Sequence, residues 1–456
     1  MEDLKFSCVF EWRYGSQDMR ELFTSESMIK RFLQVEVALL AGLEEAGLAD
    51  RDCSENIAKC VESITAKEVY ELETVTGHDI ASLAQIAGER CGPCGRFFHL
   101  GATSYDIVDT AWTLIFRDAL SIVKKRLIEI IDVLSDLALR EADTIMVGRT
   151  HGQHALPITL GFKLANYVYE LSRSLERIAD VEKRVIKCKI SGAVGTMAAW
   201  RDKGLVVEKT TCSKLGLEPH TISTQVAPRD GFAELVSALA ILASQLDRFA
   251  LEIRELSRTE IGELAEGGER VGSSTMPQKR NPVTAERVSG LAKIARSLSI
   301  AAFENIPLMH ERDLTNSSSE RVLLPHLFLI IDQMLLDTKK LLKTLVIDRE
   351  AMAKNLELTK GAIMAESVMM KLVEKGVPRH KAHAMVMEVV RKKKADESFA
   401  EALSKDSRIS SLLTHEEIRE ALDYRSYLGS YKQLIFRALE YAKKVKESSV
   451  ARPSES

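Results

Sequence analysis

The stretch YDIVDTAWTLIFRDALSIVKKRLIEIIDVLSDLALREADTIMV, residues 105–147, contains neither glycine nor proline. Its apolar residues recur at spacings of three and four, which is the period of an amphipathic helix. At about 1.5 Å per residue, a helix of this length approaches about 60 Å, far longer than an ordinary globular helix. The stretch therefore predicts one very long helix whose apolar face other long helices must cover.

The same period recurs further along the chain. It predicts long helices over residues 162–188, 232–261, 283–304 and 327–348. Strand-like alternation is nearly absent, so the fold class is all-α and the long helices form a bundle. Their apolar faces are too extensive for one subunit to cover, so we expect further burial between subunits.

Breaks in the long-helix pattern divide the chain. The helical pieces before about residue 103 are short and interrupted by glycines, and those after about residue 353 are short again. We therefore predict an N-terminal helical domain over residues 1–103, a central long-helix bundle domain over 104–352 and a C-terminal helical domain over 353–456.

Composition narrows the function classes. Hydrophobic residues make up 45% and charged residues 28% of the chain, which suits a globular protein with a large core. A net charge of -3 disfavours a nucleic-acid binder, although a few Arg and Lys suffice for a small anion. No stretch resembles a membrane span or a signal peptide, so we expect a cytoplasmic protein without membrane partners.

Seven cysteines are an odd number scattered over a long chain, so a disulfide framework is not expected. Cys91 and Cys94 form a CxxC pair, whose spacing suits a redox site or half of a zinc site. No second pair has matching spacing, and the flanks are helical in pattern. We interpret the pair as a Gly-Pro turn with incidental free thiols and predict no metal site.

Three segments rich in helix breakers interrupt the long helices, at residues 148–154, 191–196 and 266–282. The third combines glycines with serine and threonine hydroxyls and with the cations Lys279 and Arg280. This composition suits a lid that closes over an anion. It suits an ordinary solvated connection equally well, and composition alone leaves both readings open.

Residues 272–282, GSSTMPQKRNP, resemble the signature loop of the fumarase/aspartase superfamily. The resemblance implies three helical domains, a central bundle that assembles into a homotetramer, and lyase chemistry on succinyl groups without a cofactor. The fold implied in this way agrees with the fold predicted from the helical period.

Within that superfamily, segments along nearly the whole chain, from about residue 10 to about 440, are similar to the adenylosuccinate lyases. These segments are residues 13–16, 76–79, 99–104, 148–154, 190–196, 223–225, 304–313, 317–321 and 422–428. Gln278 and Gly77 depart from the pattern that many members show.

The resemblance implies a carbon–nitrogen lyase of purine biosynthesis. Such an enzyme eliminates fumarate from adenylosuccinate to give AMP, and from SAICAR to give AICAR. The alternatives are another fumarate-releasing lyase, such as an argininosuccinate lyase, and a catalytically silent helical scaffold.

The same resemblance implies the catalytic roles. Ser273 is the base and His151 is the acid that protonates the departing nitrogen. Lys279 stabilises the serine alkoxide, because a hydroxyl is otherwise too weak a base. His78 is a second catalytic candidate that orients neighbouring groups or holds phosphate.

Residues implied to bind substrate are polar and lie in or beside the matched segments, with Arg13 and Tyr14 at the phosphate. They are Arg13, Tyr14, His78, Asp79, His99, Thr103, Ser104, Gln225, Ser274, Lys279, Arg280, Asn281, Arg312, Ser317 and Arg321. Because these segments are widely separated along long helices, we expect active sites that are shared between subunits.

Overall fold

The computed structural model describes residues 8–268, 276 and 278–450, and most of them lie in helices, which confirms the all-α fold class. They form two compact units, each discontinuous along the chain. The first unit takes the described residues within 1–127, 174–246 and 290–336, and the second takes those within 128–173, 247–289 and 337–456. The three domains expected from the sequence stay a prediction.

The helices, numbered in chain order, are α1 Gln17–Leu22, α2 Ser25–Glu45, α3 Cys53–Val61, α4 Ala66–Thr76, α5 Asp79–Arg90, α6 Ser104–Arg140, α7 Leu160–Val185, α8 Gly204–Lys214, α9 Arg229–Leu256, α10 Val283–Glu304, α11 Thr315–Lys343, α12 Arg349–Glu357, α13 Ala365–Glu374, α14 Arg379–Lys392, α15 Phe399–Lys405, α16 Ser407–Ser410, α17 His415–Ala421 and α18 Tyr431–Val450. In the described ranges, no helix is long and apolar enough to cross a membrane.

Short strands pair in twos between the helices. They are β1 Ile145–Thr150, β2 Gln153–Thr159, β3 Lys187–Cys188, β4 Glu218–Pro219, β5 Leu264–Glu266 and β6 Leu345–Ile347. The pairs β1–β2 and β5–β6 are antiparallel and the pair β3–β4 is parallel. The β1–β2 hairpin occupies the segment that the sequence predicted as a loop.

The long helix α6 ends at Arg140, so the predicted extension to Val147 is wrong. Residues 145–147 leave the helix and pair with residues 157–159 of β2 instead. Ile145 and Val147 are β-branched and fit a pleated strand. A short apolar run of this kind cannot be assigned to helix or strand from periodicity alone.

The other long helices follow the predicted period, with α10 matching its predicted bounds. The helix α11 begins at Thr315 rather than at Leu327. Its first turn is fixed by Asp313, whose carboxylate accepts the Thr315 N–H at 2.9 Å. Pro325 lies inside the helix, and because proline ordinarily breaks a helix, the predicted helix began only after it.

In the first unit, α2 and α8 pack at very close range. A Cβ atom on Gly42 of α2 would lie 2.6 Å from the Val207 carbonyl oxygen of α8, so only glycine fits there. The apolar core around this contact includes fully buried Leu39, Leu43 and Ile57. In the second unit, helices α13–α17 enclose a separate core around fully buried Phe399.

The expectation of free thiols is wrong, because three disulfides lie within the first unit. They are Cys53–Cys94, Cys60–Cys91 and Cys188–Cys212. Cys53 and Cys60 are seven residues apart on α3, so both face the turn that carries Cys91 and Cys94. The spacing of the CxxC pair gives no sign of its partners, which lie 31 and 41 residues away along the chain.

Replacing both Cys188 and Cys212 by alanine should destabilise the protein by about 2–4 kcal/mol, because the cross-link closes a loop in the unfolded chain. The measurement is the thermal midpoint under oxidising conditions. Cys8→Ala is the matched control, since Cys8 is the free cysteine of the described chain and should leave the midpoint unchanged. Equal midpoints for the double variant and the wild type would contradict the prediction.

Candidate active site

The first unit brings four predicted site residues together at the starts of α5 and α6. His78 Nε2 lies 3.2 Å from Ser104 Oγ, and His78 Nδ1 lies 3.2 Å from Asp79 Oδ1. Arg321 of α11 donates to Asp79 Oδ2 at 3.1 Å. The His78 side chain is 49% exposed and that of Arg321 is 61% exposed, so both can reach a ligand.

A second group centres on Arg312. Its guanidinium stacks 3.6 Å from the ring centroid of Tyr105 and donates to Gln225 Oε1 at 3.2 Å. Arg312 Nη2 is buried and has no hydrogen-bond partner. The Tyr105 hydroxyl bonds to Ser317, and burial raises the pKa of Tyr105. The group can therefore offer an anion an unused guanidinium N–H.

The carboxylate of Asp106, in the first turn of α6, fixes the loops that flank these groups. It accepts the Thr103 N–H at 2.8 Å and the Lys189 ammonium at 2.6 Å, and Lys189 is itself buried. It also accepts the N–H groups of Ser191 at 2.8 Å and Gly192 at 3.0 Å. Two of the matched segments are thus tied to one buried charge.

One turn further along α6, Asp109 binds Arg229 through two parallel hydrogen bonds of 2.9 and 2.7 Å. Glu320 of α11 lies 2.8 Å from Arg229 Nε, and its other oxygen accepts from Asn316 at 3.0 Å. Burial raises the pKa of Glu320 and outweighs the charge of Arg229. This network joins α6, α9 and the part of α11 that carries Ser317 and Arg321.

His99 occupies a left-handed backbone conformation with φ of +58°. Its Nδ1 lies 2.6 Å from Glu36 Oε1, and Glu36 Oε2 is buried without a hydrogen-bond partner. Burial by itself lowers the pKa of His99, but the Glu36 carboxylate outweighs it and the pKa is raised. His99 is therefore paired with a buried carboxylate through Nδ1. Its other ring nitrogen, Nε2, can contact a ligand.

Arg13 and Tyr14 lie in the turn before α1. The Arg13 guanidinium carbon is 4.4 Å from the Trp12 ring centroid, and the Tyr14 ring is 5.9 Å from that of Phe10. The turn itself is held by Ser16, whose N–H and hydroxyl both donate to Asp332 at 2.7 Å. The structure thus gives Arg13 and Tyr14 a fixed turn, and their role at a phosphate stays a prediction.

In the second unit, His151 stands at the tip of the β1–β2 hairpin. Thr150 pairs with Gln153, so His151 and Gly152 form a two-residue turn, with φ of +54° and +72°. Two positive φ angles are the signature of a type I′ turn, which matches the twist of a hairpin. The turn presents an exposed His151 at the end of a short antiparallel hairpin.

The base of the signature loop is also fixed within the second unit. Glu266, the last residue of β5, accepts the N–H groups of Thr284 at 3.1 Å and Ala285 at 2.7 Å in the first turn of α10. Lys279 and Arg280 are exposed, and Asn281 is partly exposed. Ser273 and Ser274 lie outside the described residues.

The structure groups His78, Asp79, Thr103, Ser104, Gln225, Arg312, Ser317 and Arg321 in one unit through shared contacts. Asp106, Asp109 and Arg229 hold these residues in place and were not among the predicted site residues. The signal was available, because Asp106 and Asp109 are two carboxylates on the face of an otherwise apolar helix. Glu36 gave a similar signal within α2, where the neighbouring residues are apolar.

The long helices, the exposed His151 and the exposed cations Lys279 and Arg280 fit the class that the comparisons show, which is a helical lyase. The family model described as Lyase matches residues 13–295, and the model described as Adenylosuccinate lyase C-terminus matches residues 361–438. The solved 3-carboxy-cis,cis-muconate lactonizing enzyme from Pseudomonas putida is 30% identical, with a TM-score of 0.87, over 96% of this chain and 99% of its own.

Named relatives refine this class. The adenylosuccinate lyase of Pyrococcus abyssi is 42% identical over 95% of this chain and 98% of its own length. The adenylosuccinate lyase of Methanothermobacter thermautotrophicus is also 42% identical over the same shares of the two chains. The chain belongs to the adenylosuccinate lyase family, and it is a carbon–nitrogen lyase by that membership.

Glu36→Gln should lower the pKa of His99 toward its ordinary value of 6.5, because the carboxylate that raises it is gone. The charged pair stabilises the fold below the ordinary pKa and loses this effect as pH rises through the raised pKa. The stability deficit of the variant should therefore be greatest in acid and shrink at higher pH.

Nuclear magnetic resonance titration of the His99 ring measures the pKa directly, with the signal assigned from its loss in His99→Gln. Glu21→Gln removes an exposed carboxylate of the same unit and serves as the matched control. An unchanged His99 titration in Glu36→Gln would show that the pair does not set the pKa.

Proposed function

We propose that this chain eliminates fumarate from adenylosuccinate to give AMP, and fumarate from SAICAR to give AICAR, without a cofactor. The observation that carries the proposal is the 42% identity to a named adenylosuccinate lyase over 95% of the chain. Two arginines add support: Nη2 of Arg312 has no hydrogen-bond partner, and the guanidinium of Arg321 is exposed. A guanidinium can donate two parallel hydrogen bonds to a carboxylate or phosphate, and the substrate carries both groups.

In the proposed mechanism, Ser273 removes a proton from the carbon beside a substrate carboxylate. The electron pair left behind forms the carbon–carbon double bond of fumarate as the carbon–nitrogen bond breaks. His151 gives a proton to the departing purine nitrogen. Lys279 and the arginines of the site stabilise the negative charge that builds up in between.

We propose further that the enzyme is a cytoplasmic homotetramer whose active sites are shared between subunits. Helix α10 leaves Ile294, Ile300 and Phe303 more than half exposed, and such surface is normally covered by a partner. A second copy of the chain supplies matching helices. The exposed His151 is suited to enter a site completed by another copy, and a nucleotide substrate suits the cytoplasm.

Ser273→Ala and His151→Ala should each lower kcat for adenylosuccinate by about 10²–10⁴, because a positioned base or acid contributes that much. Absorbance of purified protein with adenylosuccinate measures AMP formation, with fumarate quantified separately. Ser297→Ala and His380→Ala remove an exposed serine and an exposed histidine elsewhere and should keep the wild-type rate.

Fumarate release from argininosuccinate but not from adenylosuccinate would replace the substrate and keep the chemistry. No turnover of any succinyl substrate by folded wild-type protein would favour the scaffold alternative.

Mixing the Ser273→Ala and His151→Ala proteins under conditions of subunit exchange should restore roughly one quarter of the wild-type rate, because shared sites recombine intact residues from different chains. Exchange is confirmed separately by mixing differently tagged copies. Exchanged but inactive mixtures would show that Ser273 and His151 act from the same chain.

A further inference from the structure

A carboxylate that the proposed mechanism does not use lies buried in the second unit. Glu263 precedes β5, and its side chain is 0% exposed. Its carboxylate accepts hydrogen bonds from Nη1 and Nη2 of Arg149, at 2.9 and 2.7 Å, and from the side-chain amide of Asn355 at 2.8 Å. A buried charge is tolerated only with partners of this quality, so the arrangement is specific.

Arg149 connects this carboxylate to the hairpin that carries His151. It lies on β1 two residues before His151 and pairs across the hairpin with His154. The pairing of the two strands shifts register between Val147 and Arg149 and resumes at Arg149 and Thr150, next to the turn. The two parallel bonds to Glu263 therefore hold the hairpin at the residue where strand pairing resumes.

The backbone of Glu263 is itself fixed from two directions. Its N–H donates to the Leu256 carbonyl at the end of α9, and its carbonyl accepts the Asp348 N–H, both at 3.0 Å. Glu263 is also followed directly by β5, whose last residue, Glu266, caps α10 across the signature loop. One residue therefore links the base of that loop to the turn of His151.

We propose that Glu263 is a positioning residue that fixes, through Arg149, where the turn of His151 stands relative to the base of the signature loop. The role rests on the proposed function, in which His151 is the acid. Proton transfer in the transition state is sensitive to small displacements, whereas substrate binding depends on many contacts. Loss of Glu263 should therefore affect kcat far more than KM.

The test is a double-mutant cycle with Glu263→Gln and His151→Ala, read as kcat and KM for adenylosuccinate. Glu263→Gln keeps the shape and removes the charge, and it should lower kcat by about tenfold to a hundredfold with KM within about twofold. In the His151→Ala background it should lower kcat no further, because the group it positions is already absent.

Glu141→Gln is the matched control, since Glu141 is equally buried and binds Arg349 in the same unit. Its effect, whatever its size, should multiply with that of His151→Ala. Hydrogen exchange of the amides in residues 145–159 gives a readout without substrate, and exchange should quicken in Glu263→Gln but not in Glu141→Gln.

Arg149→Lys keeps a positive charge but cannot donate two parallel hydrogen bonds to Glu263. This variant tests the proposal if Glu263→Gln does not fold. Effects of Glu263→Gln or Arg149→Lys that multiply with His151→Ala, or a wild-type kcat in either variant, would overturn the positioning role. Absence of adenylosuccinate turnover by the wild type would instead overturn the proposed function, and the two failures are distinguishable.

Discussion

Two carboxylates in the first turns of α6 fix the candidate site residues of the first unit. Asp106 and Asp109 are buried beside fully buried apolar residues such as Ile107 and Ala111, where an unpaired charge would cost several kcal/mol. Each must therefore collect donors. Asp106 collects Lys189 and three backbone N–H groups, and Asp109 collects Arg229 and the Ala227 N–H. The loops that supply those donors have little freedom left.

This constraint explains why residues distant in sequence meet in the first unit. The segment 99–104 precedes Asp106, the segment 190–196 donates to it, and the segment 223–229 ends at Arg229. Glu320 of α11 pairs with the same arginine and so ties α11 to α9. Among the proposed ligand contacts, His78 and Arg321 are exposed, while Asp106, Asp109 and Arg229 are buried. Buried residues thus fix the position of the segments, and other, exposed residues are accessible to a ligand.

The sequence predicted the class of the fold because long helices leave a strong period. The bounds of α10 followed from Pro282, which marks its start. The β1–β2 hairpin was missed because six or seven residues are too few to separate the two periods, and its type I′ turn uses histidine rather than Asn-Gly. The start of α11 was missed because Pro325 lies inside it. Hydrophobic period alone corrects neither error, although Asp313 caps the start of α11 and is a local signal for it.

Candidate ligand contacts were accessible from motif resemblance, but the groups that position them were not. Asp106, Asp109, Glu36 and Glu263 find their partners at sequence separations of tens to hundreds of residues, and no local rule predicts such pairs. The disulfides were missed for the same reason. The sequence does show a carboxylate within an apolar helical face. Such a carboxylate marks a position where a long-range partner must exist.

The disulfides and Asp106 act on the same loops from different points of the chain. Cys91 and Cys94 are bonded just before the segment 99–104, and Cys188 is bonded just before the segment 190–196. Each loop is therefore held covalently near the point where the chain enters it and electrostatically near the site. Elimination needs donors in place before charge develops, because reorganising them during the reaction would add to the barrier. A helical scaffold with flexible connections meets that need only if its loops are tied down, and these two kinds of bond together do so.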